Sequence, residues 1–180
     1  MRLVADAGPL IALAKVDRLE LVVPLFEEIW LPEVVMHEVL AKPGVETQRL
    51  QAAIGRFLRV GSPPLRLSEA LEAVARGLDE GEKAVIALAG ALPPPATALM
   101  DDAAGRAVAR RANLGVVGLA GLLIKARERG LLDRVIPLLL EARDRGYWLD
   151  RQSGRNRPAF DGGVARFTPL LQPDRPAATR

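Results

Sequence analysis

Arg2-Leu3-Val4-Ala5-Asp6-Ala7-Gly8-Pro9-Leu10-Ile11-Ala12-Leu13 decides how this chain is to be read. A short apolar run ends on an acid, and Pro9 then suits the first turn of a helix, where its missing amide is not needed. The pattern recurs downstream. Residues 28–31 read as a strand stopped by Pro32, which also suits the start of a helix over 33–41. Residues 97–100 read as a buried strand ending at Asp101 and Asp102, with a helix over 103–112 behind it. Helical patterns cover 18–26, 45–57, 68–78, 79–92, 119–129 and 131–145, and short strands fit 58–60 and 115–117. Pro24 bends or ends the first of those helices, and Ser62-Pro63-Pro64 and Pro93-Pro94-Pro95 break the chain into loops. Strands that alternate with helices predict an α/β fold whose parallel sheet is covered on both faces.

Composition narrows the chemistry. The chain has 180 residues, 49% hydrophobic, enough for one domain with a sizeable core. It has no cysteine and one histidine, His37, which removes thiolate and multi-histidine metal sites and leaves a Ser-His-Asp triad without support. Aromatic residues are only 4%, too few for a sheet of base-stacking rings. Asp and Glu number 22, so the chemistry falls to carboxylates. The net charge of +3 is uneven: residues 151–180 hold six Arg against Asp161 and Asp174, a net of +4, leaving −1 for residues 1–150. The expected division is a domain over 1–150 and a basic Gly/Pro/Arg-rich extension over 151–180, loose at least from Gln172. No apolar run approaches the length of a membrane span, and Asp6 interrupts the apolar start, so a soluble cytoplasmic protein is expected.

Ligands of parallel α/β sheets bind beyond the carboxyl ends of the strands. Asp6 and Asp101 sit there, with Asp102 beside the second. Glu38 lies on the helix after the second strand, and Glu82 in the first turn of the 79–92 helix. Clustered carboxylates raise one another's pKa and are tolerated mainly around a divalent cation, and all-oxygen ligation favours Mg²⁺ or Mn²⁺. Each acid has a plainer reading. Asp6 and Asp102 suit helix caps, Asp79 and Glu82 fit a capping box, and Glu38 fits a solvated helix face.

Four stretches together resemble the PIN-domain family of nucleases, which includes many toxins of prokaryotic toxin–antitoxin pairs. They are Val4–Leu13 around Asp6, Ile29–Val39 around Glu38, Leu78–Ala89 around Glu82, and Leu99–Ala109 around Asp101. The Gly81-Glu82 pair and the doubled Asp look most like an under-characterised branch. The resemblance covers about residues 2–146. It implies a three-layer α/β/α sandwich with a mostly parallel sheet, single-strand RNA cleavage, and metal binding by Asp6, Glu82 and Asp101. Glu38 would contribute directly or through water, and Asp102 would support them. It also implies a homodimer and an antitoxin partner. The chain departs from the family at Ala7-Gly8, where many members carry Ser or Thr, and at Met100, where many carry a hydroxyl residue before the fourth acid.

Arg106 follows Asp102 by one helical turn, so it either holds a substrate phosphate or forms an intrahelical ion pair worth about 0.3–0.5 kcal/mol. Arg110, Arg111 and Lys125 read as solvated surface. Tyr147-Trp148 either stacks on bases or anchors the chain end against the core. Trp30 reads as core, and His37, adjacent to Glu38 on one helix, points away from it. Two other classes stay open: a non-catalytic nucleic-acid-binding or protein-interaction module, and an aspartyl phosphatase. The phosphatase is weakened because Gly8 stands where such enzymes usually offer a second Asp.

Overall fold

The computed structural model describes residues 1–62, 67, 69–92 and 96–147. Five strands, β1 (Arg2–Ala5), β2 (Glu28–Pro32), β3 (Leu58–Gly61), β4 (Ala96–Leu99) and β5 (Gly115–Val117), form one all-parallel sheet in the order β3-β2-β1-β4-β5. Leu3, Val4 and Ala5 are all fully buried. Successive strand residues face opposite sides, so this run alone shows the sheet to be covered on both. The covering helices are α1 (Ala7–Lys15), α2 (Glu33–Leu40), α3 (Val45–Ala53), α4 (Glu69–Val74), α5 (Glu80–Ala91), α6 (Ala103–Arg111), α7 (Leu119–Glu128) and α8 (Val135–Asp144). The result is an α/β/α sandwich, as expected.

The order of the strands positions the site. From β1 the chain runs outward through β2 to β3, then returns to place β4 on the other side of β1. The direction of winding reverses between β1 and β4, the place where open α/β sheets leave a crevice. Arg2 pairs with Ala96 and Ala5 with Leu99, so the two strands end level. Asp6 N–H donates to Leu99 O at 2.9 Å, and Met100 N–H to Val117 O at 3.0 Å, which carries the ladder up to the acids themselves.

Four helices end in the same way. Behind α1, α6, α7 and α8, a residue at positive φ (Asp17, Asn113, Gly130, Gly146) turns the chain. The next amide then reaches back to the carbonyl of Leu13, Ala109, Ala126 or Ala142 respectively. These are Schellman caps, and they satisfy carbonyls that would otherwise face the interior unpaired.

The boundaries differ from expectation where proline and glycine act. Residues Leu19–Leu25 form a 3-10 helix containing Pro24, not an α-helix; proline removes the amide a continuing α-helix needs. The 45–57 pattern stops at Ala53, and Gly55 follows at φ 82°. The last helix begins at Val135, with Pro137 in its first turn, not at 131. Trp30 lies partly buried against the core, its ring under Arg59. Among the described residues no helix is long and apolar enough to cross a membrane. Pro63, Pro64, the 93–95 proline run, Trp148 and the extension over 151–180 lie outside the described residues.

Candidate active site

Asp6 leaves the end of β1 with extended backbone angles and occupies the N-cap position of α1, yet its side chain makes no capping hydrogen bond. The capping reading of this residue is therefore not met. Burial pushes its carboxyl up to about 7, the charges of Asp79, Glu38 and Asp101 push the same way, and the Ala7 amide opposes them.

Glu82 is 8% exposed, the one buried charged side chain among the described residues. The expected capping box is formed: Glu82 N–H donates to Asp79 Oδ1 at 2.8 Å, and Asp79 N–H to Glu82 Oε2 at 3.0 Å. Capping does not exhaust its role, because a capping glutamate normally faces water. Burial raises this carboxyl to about 8 against the pull of the Asp79 amide, and the charges of Asp102, Asp79 and Asp6 add to the rise.

Asp101 follows β4 by two residues. Its Oδ1 accepts from Leu119 N–H, the first amide of α7, at 2.9 Å, and its Oδ2 accepts from the Tyr147 hydroxyl. Burial raises its carboxyl; the Tyr147 and Leu119 bonds and the Arg106 charge hold it down. Asp102 caps α6 as expected, accepting from Gly105 N–H at 2.8 Å. Glu38 is exposed on α2, and its charge reaches Asp6.

Glycines let these groups approach. A Cβ on Gly118 would stand 2.6 Å from Asp101 Oδ1, and one on Gly105 would stand 3.2 Å from Glu82 Oε1. A Cβ on Gly81 would meet Asp79 Oδ1 at 3.3 Å and Glu38 Oε2 at 3.4 Å. Gly81 and Gly105 lie within the sequence motifs, but only the fold gives them this function. Gly118 carries a readable signal, a glycine at a strand-to-helix junction, which sequence reasoning passed over.

The basic residues divide. No ion pair joins Arg106 to Asp102 among the described residues. Arg106 acts on Asp101 instead, and its Nε is buried with no partner among the described residues. Arg110, Arg111 and His37 are exposed. Lys125 lies 5.7 Å from the centre of the Phe26 ring, packed there and not spread into solvent. Of the two readings of Tyr147-Trp148, anchoring is the one Tyr147 fits, packed against the core, but its hydroxyl anchors on a candidate catalytic acid.

An all-oxygen donor set of this kind fits Mg²⁺ or Mn²⁺ chemistry. As the side chains lie, no three acids among the described residues are grouped to hold one ion. Glu82 and Asp101 are turned onto protein donors, so ligation by both requires them to exchange those partners. Comparison with curated proteins gives no match. A family model described as a PIN domain matches residues 2–156. That match spans every strand and helix described above, and members of the family generally use divalent metals. The chain belongs to the PIN-domain family, a nuclease fold.

Proposed function

We propose that this protein is a divalent-metal-dependent endoribonuclease that cleaves single-stranded RNA. The observation that supports the reading is electrostatic: at the reversal between β1 and β4, Asp6 feels the charge of Asp101 and Glu82 that of Asp6, and burial raises the carboxyl of all three. Three acids whose charged forms are disfavoured together are costly to fold around, and a cation relieves that cost.

Asp6, Glu82 and Asp101 would hold Mg²⁺ or Mn²⁺, with Glu38 directly or through water at the exposed edge. The ion supplies a lowered pKa for bound water and charge neutralisation at the phosphodiester. The chain supplies the rest. Asp102 keeps the start of α6 in place through Gly105, and Leu119 N–H fixes the orientation of Asp101. Arg106, whose buried Nε has no partner among the described residues and whose charge acts on Asp101, would hold the scissile or neighbouring phosphate.

The test is Asp101→Asn in two assays, Mn²⁺ binding by calorimetry and cleavage of single-stranded RNA. A folded variant that keeps both would overturn the reading. The satisfied caps at Glu82 and Asp102 favour a second reading, a non-catalytic PIN-like module for nucleic-acid or protein binding; wild-type protein that binds RNA but neither Mn²⁺ nor cleaves would establish it. The resemblance also carries a homodimer and a toxin role with an antitoxin partner. Sedimentation tests the first, and growth arrest relieved by a co-expressed neighbouring protein tests the second.

A further inference from the structure

The Tyr147 hydroxyl donates to Asp101 Oδ2, the oxygen that Leu119 does not use. Its ring lies over the start of α1: a Cβ placed on Gly8 would be 3.8 Å from both Cε2 and the hydroxyl oxygen. Gly8 is two residues beyond Asp6, so the phenol reaches into the space between the first and fourth acids.

The delivery of this side chain is built, not incidental. Gly146 turns the chain at φ 81°, Gly146 N–H donates to Arg143 O at 2.8 Å, and Tyr147 N–H donates to Ala142 O at 2.9 Å. That is the Schellman cap of α8, and it fixes the backbone from which the phenol projects. A second tie holds the same corner to α1: Lys15 Nζ donates to Arg145 O at 2.9 Å, and an Arg145 guanidinium nitrogen to Lys15 O at 2.5 Å. Nothing in these contacts requires a hydroxyl; a phenylalanine would pack on Gly8 equally well. The hydroxyl is explained only by the carboxylate it meets.

We propose that Tyr147 is a plug on the acid centre, its hydroxyl occupying Asp101 Oδ2 and withdrawing when a divalent cation binds between Asp6 and Asp101. The proposal rests on the reading of these acids as a cation site. The phenol O–H takes part of the role of a cation by directing positive charge at a buried carboxylate, so the two compete for one oxygen. Binding then trades the phenol bond for a metal bond, and the plug lowers affinity and selects against cations too weak to displace it.

The experiment uses the full chain and its Tyr147→Phe variant, which keeps the ring. Calorimetry with Mn²⁺ should show the variant binding roughly ten-fold tighter, the scale of one hydrogen bond to a charged group. A second reading uses the wild type. The chain has a single tyrosine, so ¹³Cζ-tyrosine labelling gives one carbon resonance, which should move as Mg²⁺ saturates the site and stay still in Asp101→Asn. Equal or weaker Mn²⁺ binding by Tyr147→Phe, or an unmoved resonance on saturation of the wild type, overturns the plug and leaves the cation site standing. No Mn²⁺ binding by either protein overturns the cation site, and the plug with it.

Discussion

Replacing Asp6 with Asn should stabilise the metal-free protein at pH 8 and leave it nearly unchanged at pH 4. Burial holds the Asp6 carboxyl at about 7 against an ordinary value of 3.8. The folded protein therefore binds this proton more tightly than the unfolded chain does. Its stabilising contribution is complete below pH 4 and is lost as pH rises through about 7. At 1.36 kcal/mol per pH unit the displacement corresponds to roughly 4 kcal/mol, and the side chain's partial contact with water reduces this to about 2 kcal/mol. For a domain of this size that is about 4–8 °C in Tm. Asn keeps the volume and cannot ionise, so it escapes the loss. Thermal and urea unfolding in EDTA at pH 4.5, 6 and 8 measures it. A variant less stable than wild type at pH 8, or one whose gain is equal at pH 4.5 and pH 8, refutes the burial argument. Added Mn²⁺ should reverse the ranking at pH 8, because an ion at a hundred times its Kd adds about 2.7 kcal/mol to the wild type alone.

Glu82→Gln should show the same sign over a higher window, with the gain developing between about pH 4.5 and pH 8; a flat difference across that range in urea melts would contradict it. Gly118→Ala places a Cβ 2.6 Å from Asp101 Oδ1, so it should break the Leu119 bond, cost about 1–3 kcal/mol and weaken Mn²⁺ binding; a variant of wild-type Tm and affinity would show that the junction yields freely. Arg106→Ala should raise KM for RNA several-fold and flatten the salt dependence of binding by about one charge, as filter binding across a salt series would report. An unaltered salt slope would remove Arg106 from the phosphate contact.

Much of the fold was legible because β1, β2 and β4 combine short apolar runs with an acid or a proline at or just past their ends, and these are local signals. Three acids were legible for the same reason: Asp6 directly follows β1, and Asp101 and Asp102 come two and three residues after β4. Glu82 was harder, since Asp79-Glu80-Gly81-Glu82 describes a capping box completely and nothing in that spacing reveals that Glu82 is buried and feels the charges of Asp6 and Asp102. Tyr147 was legible as an anchor but not in its target, because Asp101 is 46 residues away and the meeting depends on how α8 packs against α1. The helix read over 131–145 was too long because hydrophobic periodicity in Leu131 and Leu132 carried more weight than Pro137, which restricts where the first turn begins.

Four helix N-termini converge on the acids. Asp6, Asp79 and Asp102 hold the N-cap positions of α1, α5 and α6, and the first amide of α7 donates to Asp101. Each such terminus favours a nearby carboxylate by about 0.3–1 kcal/mol, and by up to about 2 kcal/mol when partly buried. Yet Asp6 remains at about 7 and Glu82 at about 8, so at these two acids burial and neighbouring negative charge outweigh the amides that oppose them, Ala7 N–H and Asp79 N–H. What remains unbalanced can be met by a proton or by a cation, and at neutral pH the two compete. The acids titrate as a set, so the count belongs to the set. At pH 7 a carboxyl at about 7 is half protonated and one at about 8 is mostly protonated, which predicts roughly one to one and a half protons released per ion bound. Near pH 9.5 almost none should be released, and affinity should climb between those limits. Calorimetry of Mn²⁺ or Mg²⁺ binding in buffers of different ionisation enthalpy measures the number. Ion binding at pH 7 with no proton released would mean that Asp6 and Glu82 are already charged, and that the helix termini, not a cation, settle the electrostatics of this site.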